Sequence, residues 1–222
     1  MLLYKGVEIY WLGHDGFRLK TPKIEVVIDP FKLRARQKRP ADIVFITHDH
    51  FDHCSLDDVR KVAEPDKTVI VASENCKEAL RQVKAREKIF VSQGKTGELM
   101  GVRYTAVPAY NVNKFRAPGV VFHPREYGGV GYVIEIDGVR FYHTGDTDFI
   151  EEMKRLGKID VAFIPVSGTY VMTADEAISA VDAIKPELAI PMHYGEIVGS
   201  EKDAYYFKSK ASCRVEILKP EE

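Results

Sequence analysis

One short segment constrains this chain more than any other: an apolar strand that ends abruptly in imidazole and carboxylate side chains. Residues 43–47 read IVFIT, and residues 48–53 read HDHFDH. Three imidazoles and two carboxylates within six residues are costly to bury unless a partner neutralises them. A divalent cation does so, because it binds neutral imidazole nitrogens and carboxylate oxygens together. The segment therefore predicts a metal site at the end of a buried strand, and a polar surface loop is the alternative.

Residues 48–53 are called the histidine run below, and their spacing divides the side chains into two sets. In an extended backbone His48 and His50 point to the same side, so both can reach one metal ion. A turn at Phe51 would direct Asp52 and His53 towards a second position. We therefore expect one or two divalent ions. Zinc is the first expectation, and manganese, iron and nickel are alternatives, because a ligand set without thiolate suits all of them.

The pattern of apolar residues elsewhere predicts hairpins first and then an alternation of strands and helices. Strands are predicted at 7–12, 17–20, 24–28, 43–46, 68–72, 88–91, 102–107, 160–166, 187–192 and 214–218, with a hairpin over 130–142. Helices are predicted after Ser55, after Ser73, and near 149–156, 173–184 and 200–210. This order indicates an α/β fold, a four-layer αββα sandwich of two mixed β-sheets with helices on both outer faces.

The organisation of the chain adds two expectations. No repeat or linker divides the sequence, so residues 1–222 are expected to form one domain. The stretch from Asn111 to Gly129 has no clear period and is long for a passive connection. It is therefore a candidate substrate loop or lid.

Composition narrows the partners and the location. The net charge is −1, so no global charge favours a nucleic-acid partner. No apolar run approaches the ~20 residues of a membrane span, and no signal-peptide pattern precedes the first strand. Three widely spaced cysteines fit a reducing compartment, so we expect a cytoplasmic protein without a membrane partner. Asn and Gln total only six, which is typical of a thermophile.

Four further segments occur in the order in which one superfamily carries them. They read WLGHDGF (11–17), VIDP (27–30), YHTGDT (142–147) and IPMHYG (190–195). Together with the histidine run they resemble the metallo-β-lactamase superfamily, and in particular its branch of metal-dependent hydrolases related to the ascorbate-6-phosphate lactonase. The resemblance implies that Asp146 bridges two metal ions. The metal ligands that it implies are His48, His50, Asp52, His53, Asp146 and His193.

One motif departs from the superfamily. Asn111, in VPAYN (107–111), stands where a further metal-binding His is expected, and neutral amides are poor ligands for such ions. His123 on the following loop is a candidate substitute. Alternatively only one ion binds tightly, with water or His14 completing the first position.

The resemblance implies hydrolysis by metal-activated water, with an ester, a lactone or a phosphodiester as the scissile bond. Asp52 is expected to bind a metal ion and orient the attacking water, and His14 to act as a second catalytic or substrate-contacting group. Asp29 is expected to support the backbone or a ligand His, and Asp15 to be an exposed turn residue.

A basic segment over residues 32–39 suggests what the substrate carries. Lys32, Arg34 and Arg36 are candidates to bind an anionic small molecule, and a solvated basic loop is the alternative. Two rival functions stay open. One is a non-catalytic metal-binding or sensing protein, which Asn111 favours, and the other is a small nuclease or phosphodiesterase.

Overall fold

The computed structural model describes residues 1–221, which divide into two compact units. The first unit comprises Met1–Ser92 together with the C-terminal residues from Leu218 on, and the second comprises Gln93–Ile217. Each unit contains one seven-stranded mixed sheet. The two mixed sheets of the predicted α/β class are therefore present, one in each unit.

The sheet of the first unit follows the order of the sequence. Its strands are β1 (Leu2–Tyr4), β2 (Val7–Gly13), β3 (Gly16–Lys20), β4 (Glu25–Ile28), β5 (Ile43–Ile46), β6 (Val69–Ser73) and β7 (Glu87–Val91). Pairs from β1 to β4 are antiparallel, and pairs from β4 to β7 are parallel. The hairpins and buried strands predicted for this third of the chain are confirmed, and β1 was not predicted.

One helix covers a face of this sheet. It is α1 (Leu56–Val62), and its buried Val59 and Val62 join an apolar cluster with Val44 and Ile70 of the sheet. The helix predicted after Ser73 is wrong: two short 3₁₀ segments occupy its place, Glu74–Cys76 and Ala79–Gln82. The Ser73 hydroxyl donates to the Asn75 side chain instead of capping the first turn, so no α-helix begins there.

The second unit combines antiparallel and parallel pairs in one sheet. In chain order its strands are β8 (Thr96–Leu99), β9 (Val102–Pro108), a separate pair β10 (Phe115–Ala117) and β11 (Val120–Val121), then β12 (Val130–Ile136), β13 (Val139–His143), β14 (Val161–Pro165), β15 (Leu188–Met192) and β16 (Arg214–Val215). The large sheet has the order β16-β15-β14-β13-β12-β9-β8. The predicted hairpin over 130–142 is confirmed as β12 and β13, while β8, β10 and β11 were not predicted.

Two helices pack on this sheet: α2 (Ala174–Ile184) contacts β14, and α3 (Glu201–Lys210) contacts β15. A capping box between Thr173 and Glu176 starts α2. The helix predicted near 149–156 is a 3₁₀ segment, Glu151–Arg155. Across residues 1–221, each helix is too short or too polar to cross a bilayer.

Candidate metal centre

In the first unit, Asp29 organises the strand end from which the histidine run begins. β4 ends one residue before Asp29, whose backbone has the left-handed φ of 41°. Its Oδ1 accepts from the Thr47 amide at 2.9 Å, and its Oδ2 accepts from the Thr47 hydroxyl at 2.6 Å and from His53 Nδ1 at 2.8 Å. All three residues are buried. Asp29 thus supports both the backbone and an imidazole, as expected from the sequence.

These hydrogen bonds fix which nitrogen of each imidazole carries the proton. The Asp29 carboxylate only accepts, so His53 Nδ1 must donate, and the neutral ring then has its lone pair on Nε2. The Thr47 hydroxyl gives its proton to Asp29, so its oxygen accepts from His48 Nδ1 at 3.0 Å. Both imidazoles therefore present Nε2 in the form that binds a metal ion.

The predicted pairing of His48 with His50 is present in the structure. Their ring centroids are 4.6 Å apart, and one ring nitrogen of each lies within 4.8 Å of the other. His48 is buried and His50 is exposed. Within the first unit the structure thus brings these two candidate ligands together; their role as ligands stays a prediction.

A second group lies where the turn between β2 and β3 meets the end of the histidine run. His14 Nε2 lies 3.1 Å from Asp52 Oδ2, and His53 Nε2 lies 4.0 Å from the same oxygen. The expectation that Asp15 is exposed is wrong: its side chain is 0% exposed, and its Oδ2 lies 3.3 Å from His53 Nε2. His14 has a left-handed φ of 49°, and at this turn the side chains of His14 and Asp15 both point inwards.

In the second unit, three further candidates converge on one carboxylate oxygen. Asp146 Oδ2 lies 3.5 Å from His123 Nε2 and 3.4 Å from His193 Nε2, and all three side chains are buried. His193 Nδ1 lies 3.1 Å from the Ser167 hydroxyl. His123, proposed from the sequence only as a substitute, therefore occupies the same cluster as the two residues that the motifs predicted.

Asn111 explains how His123 reaches this cluster. Its Nδ2 donates to Asp148 Oδ1 at 3.1 Å and to the Tyr170 carbonyl at 2.8 Å, and both of these are acceptors only. Its Oδ1 accepts from the His123 backbone amide at 2.9 Å and faces His123 Nδ1 at 2.9 Å. The amide orientation is thus forced, His123 Nδ1 must carry the proton, and Nε2 presents a lone pair to Asp146.

Apart from Asp29, sequence reasoning missed the side chains that support the candidate ligands. For Thr47 the sequence offers one indication of a supporting role, namely that it directly precedes the candidate ligand His48. Asp148 accepts from the amides of Val112 and Asn113 at 2.7 and 2.9 Å and thereby fixes the chain at Asn111. No sequence pattern indicated that role, because its partners lie more than 30 residues away in the chain.

The predicted substrate-binding residues lie on the surface of the first unit. Lys32, Arg34 and Arg36 are exposed. Asp58 accepts from the Lys32 backbone amide at 2.8 Å, which fixes the start of the loop. The buried Phe31 ring lies 5.8 Å from the His14 ring, and Lys32 Nζ lies 5.2 Å above that Phe31 ring. Phe31 thus neighbours both Lys32 and His14, and the roles of the three basic residues stay predictions.

The donor set in each unit fits a divalent metal ion. In both units a neutral imidazole is held with its Nε2 lone pair towards a buried carboxylate oxygen, which also only accepts. Two acceptors within 3.5 Å of one another are stabilised by a cation, and imidazole with carboxylate is a ligand set that such ions prefer.

Comparisons with known proteins agree with this chemistry. A family model described as the Beta-lactamase superfamily domain matches residues 8–193. The chain belongs to this superfamily. The UPF0173 metal-dependent hydrolase of Thermoplasma acidophilum is 33% identical over 219 residues, covering 93% of this chain and 92% of the relative. The UPF0173 metal-dependent hydrolase of Methanopyrus kandleri is also 33% identical, covering 97% of this chain and 98% of the relative.

Two similar solved structures show the fold. Igni18, a metallo hydrolase from Ignicoccus hospitalis, has a TM-score of 0.76 at 24% identity, covering 97% of this chain and 96% of its own. The metallo-β-lactamase fold protein YhfI from Bacillus subtilis has a TM-score of 0.72 at 11% identity, covering 97% and 98%. The family model confirms the resemblance to the superfamily, and these structures confirm the expected fold. The residues that the family model matches, 8–193, include every candidate metal ligand.

Proposed function

We propose that this chain is a hydrolase that requires one or two divalent ions and cleaves an ester, lactone or phosphodiester bond in an anionic small molecule. The proposed ligands are His48, His50, Asp52 and His53 in the first unit and His123, Asp146 and His193 in the second. The observation that carries the proposal is the fixed tautomer of His48, His53 and His123, each of which holds Nε2 ready for a metal ion. Zinc is the first candidate, with manganese, iron or nickel as alternatives, and we propose a cytoplasmic location.

The chemistry that such an ion supplies is acidification of water and polarisation of the scissile carbonyl or phosphoryl oxygen. The chain itself supplies orientation and proton transfer. Asp29 and Thr47 hold the imidazoles of His53 and His48 in place. His14 and Asp52, with 3.1 Å between Nε2 and Oδ2, form a hydrogen-bonded pair, and we assign proton transfer to this pair.

Support for an anionic substrate comes from Lys32. Its ammonium group lies over the Phe31 ring, and that ring neighbours the His14 ring, so one aromatic ring connects the positive charge to a proposed catalytic group. Arg34 and Arg36 add exposed charge in the same loop. A phosphorylated lactone or a phosphodiester fits these charges better than a neutral ester does. The branch related to the ascorbate-6-phosphate lactonase, suggested by the sequence motifs, is consistent with such a substrate.

The rival reading as a sensing protein rested on Asn111, because an amide there left the first metal position short of a ligand. The hydrogen bonds from His123 to Asn111 support a hydrolase instead, because they orient an imidazole that we propose as the substitute for the missing ligand. The second rival, a small nuclease or phosphodiesterase, uses the same proposed site and differs only in substrate.

Metal-loaded protein should be assayed against a chromogenic phosphodiester, a phosphorylated lactone and a nitrophenyl ester. His50→Ala and Asp146→Ala should abolish turnover, while Asp49→Ala, an exposed residue of the same run, should retain it. Turnover that survives both substitutions contradicts the proposed site. Protein that binds metal but cleaves none of these substrates supports the sensing protein.

A further inference from the structure

The turn between β2 and β3 buries the carboxylate of Asp15, a residue of the WLGHDGF segment that was expected from the sequence to be an exposed turn residue. Asp15 is 0% exposed, although it follows a turn residue of a hairpin, where acidic side chains usually reach solvent. Gly13 and His14 adopt φ values of 107° and 49°, and this left-handed pair directs two consecutive polar side chains inwards. Holding His14 at a left-handed φ and burying a carboxylate both cost free energy. A functional contact of Asp15 would offset that cost.

The neighbours of Asp15 indicate what this contact is. Asp15 Oδ2 lies 3.3 Å from His53 Nε2 and 3.9 Å from His14 Nε2. One ligand atom from each of the three residues lies within 4.8 Å of the other two. Because Asp29 holds the proton on His53 Nδ1, the neutral His53 ring faces Asp15 with a lone pair. The distance of 3.3 Å also exceeds the 2.7–2.9 Å that is typical of a charge-assisted hydrogen bond.

The charge around His53 is strongly negative. Three buried or nearly buried carboxylates lie within 4.0 Å of its ring nitrogens: Asp29 at 2.8 Å, Asp15 at 3.3 Å and Asp52 at 4.0 Å. Asp29 is already satisfied by the Thr47 amide and hydroxyl. Asp15 and Asp52 therefore place two carboxylate charges beside the metal-binding nitrogen of His53.

We propose that Asp15 is a metal ligand, which binds the same divalent ion as His53 and Asp52; this rests on the proposed function. This ion would then have two carboxylate ligands in the first unit, Asp15 and Asp52. Carboxylate oxygen favours harder ions such as manganese more than imidazole does. Asp15 therefore contributes to the choice of metal as well as to affinity.

The test compares metal binding by wild type, Asp15→Asn and the matched control Asp49→Asn, which removes an exposed carboxylate of the histidine run. Chelator-stripped protein is titrated with zinc and with manganese in competition with a chromophoric chelator. Asp15→Asn should weaken binding at one position by at least roughly 10- to 100-fold, with a larger loss for manganese than for zinc. Asp49→Asn should bind like wild type.

A second variant covers the case in which Asp15→Asn fails to fold. In cobalt-loaded Asp15→Cys, a thiolate in contact with the metal should produce a thiolate-to-cobalt charge-transfer band that wild type lacks. Unchanged affinity in Asp15→Asn, or cobalt-loaded Asp15→Cys without that band, overturns the inference while the proposed function stands. Wild-type protein that binds neither zinc, manganese nor cobalt overturns the proposed function itself.

Discussion

Replacing Asn111 tests whether it sets the orientation of His123 or merely fills space. In Asn111→Leu, two buried donors of His123, the backbone amide and Nδ1, lose an acceptor at 2.9 Å. An unsatisfied buried donor costs about 1–3 kcal/mol, so unfolding free energy should fall by roughly 2–6 kcal/mol. Metal affinity should fall roughly 10- to 100-fold, because the His123 ring can then rotate or change tautomer.

Asn111→Asp distinguishes the role of the amide oxygen, which accepts from His123, from that of the amide nitrogen, which donates to Asp148. It keeps an acceptor for His123 but replaces the donor that lies 3.1 Å from Asp148 Oδ1 with a second carboxylate oxygen. Two unit charges at that distance repel by about 5 kcal/mol at an effective dielectric constant of about 20. Adding Asp148→Asn restores a donor opposite the new carboxylate and should recover much of the stability. The recovery is partial, because Lys114 Nζ, 3.3 Å from Asp148 Oδ1, loses an ion pair.

The assays are chemical denaturation for stability, chelator competition for metal affinity, and long-range ¹H–¹⁵N spectra of metal-free protein for the tautomer. The wild-type spectrum should show His123 protonated at Nδ1. A double-mutant cycle with His123→Ala should show strong non-additivity in metal affinity. If Asn111→Leu lowers stability but leaves metal affinity and the His123 tautomer unchanged, the positioning role is refuted.

Two further substitutions probe the rest of the molecule. Thr47→Val removes the hydroxyl that joins Asp29 to His48, so metal affinity should fall roughly 10- to 100-fold. The control Thr96→Val changes an exposed residue and should leave metal affinity unchanged. Equal affinities of Thr47→Val and wild type would show that the hydroxyl is dispensable. Burial alone would raise the pKa of Glu176, but hydrogen bonds from Lys114 and its other donors hold that pKa below its ordinary value of 4.5. Its stabilisation is therefore complete above pH 4.5 and lost as pH falls through the lowered pKa, so Glu176→Gln should lose less stability on acidification than wild type in denaturant titrations. A steeper acid loss in Glu176→Gln would contradict that assignment.

The sequence predicted those parts of the fold whose signal is local. Alternation and continuous apolar runs located β2 to β7, and Asp137-Gly138 located the hairpin of β12 and β13, because strand period and turn chemistry depend on neighbouring residues. The 3₁₀ segments at 74–76 and 151–155 were predicted as helices, because apolar spacing does not separate a tight turn from a short α-helix.

The candidate site also contains residues that local motifs predicted and residues whose placement depends on the folded structure. The histidine run, Asp146 and His193 carry motifs, and the structure places each of them at a strand end with buried polar neighbours. The burial of Asp15 was not predictable, because it depends on two left-handed residues within a hairpin. The seating of His123 depends on Asn111 and Asp148, a contact between residues far apart in the sequence.

The number of metal ions bound per chain tests the proposed metal site most directly. Purified protein, stripped with chelator and reloaded with zinc or manganese, should bind one or two equivalents by elemental analysis after gel filtration, and its melting temperature should rise on loading. His48→Ala and His193→Ala should each lower the number of ions bound. Wild-type protein that remains metal-free after reloading, with an unchanged melting temperature, would show that the chain has no such metal site.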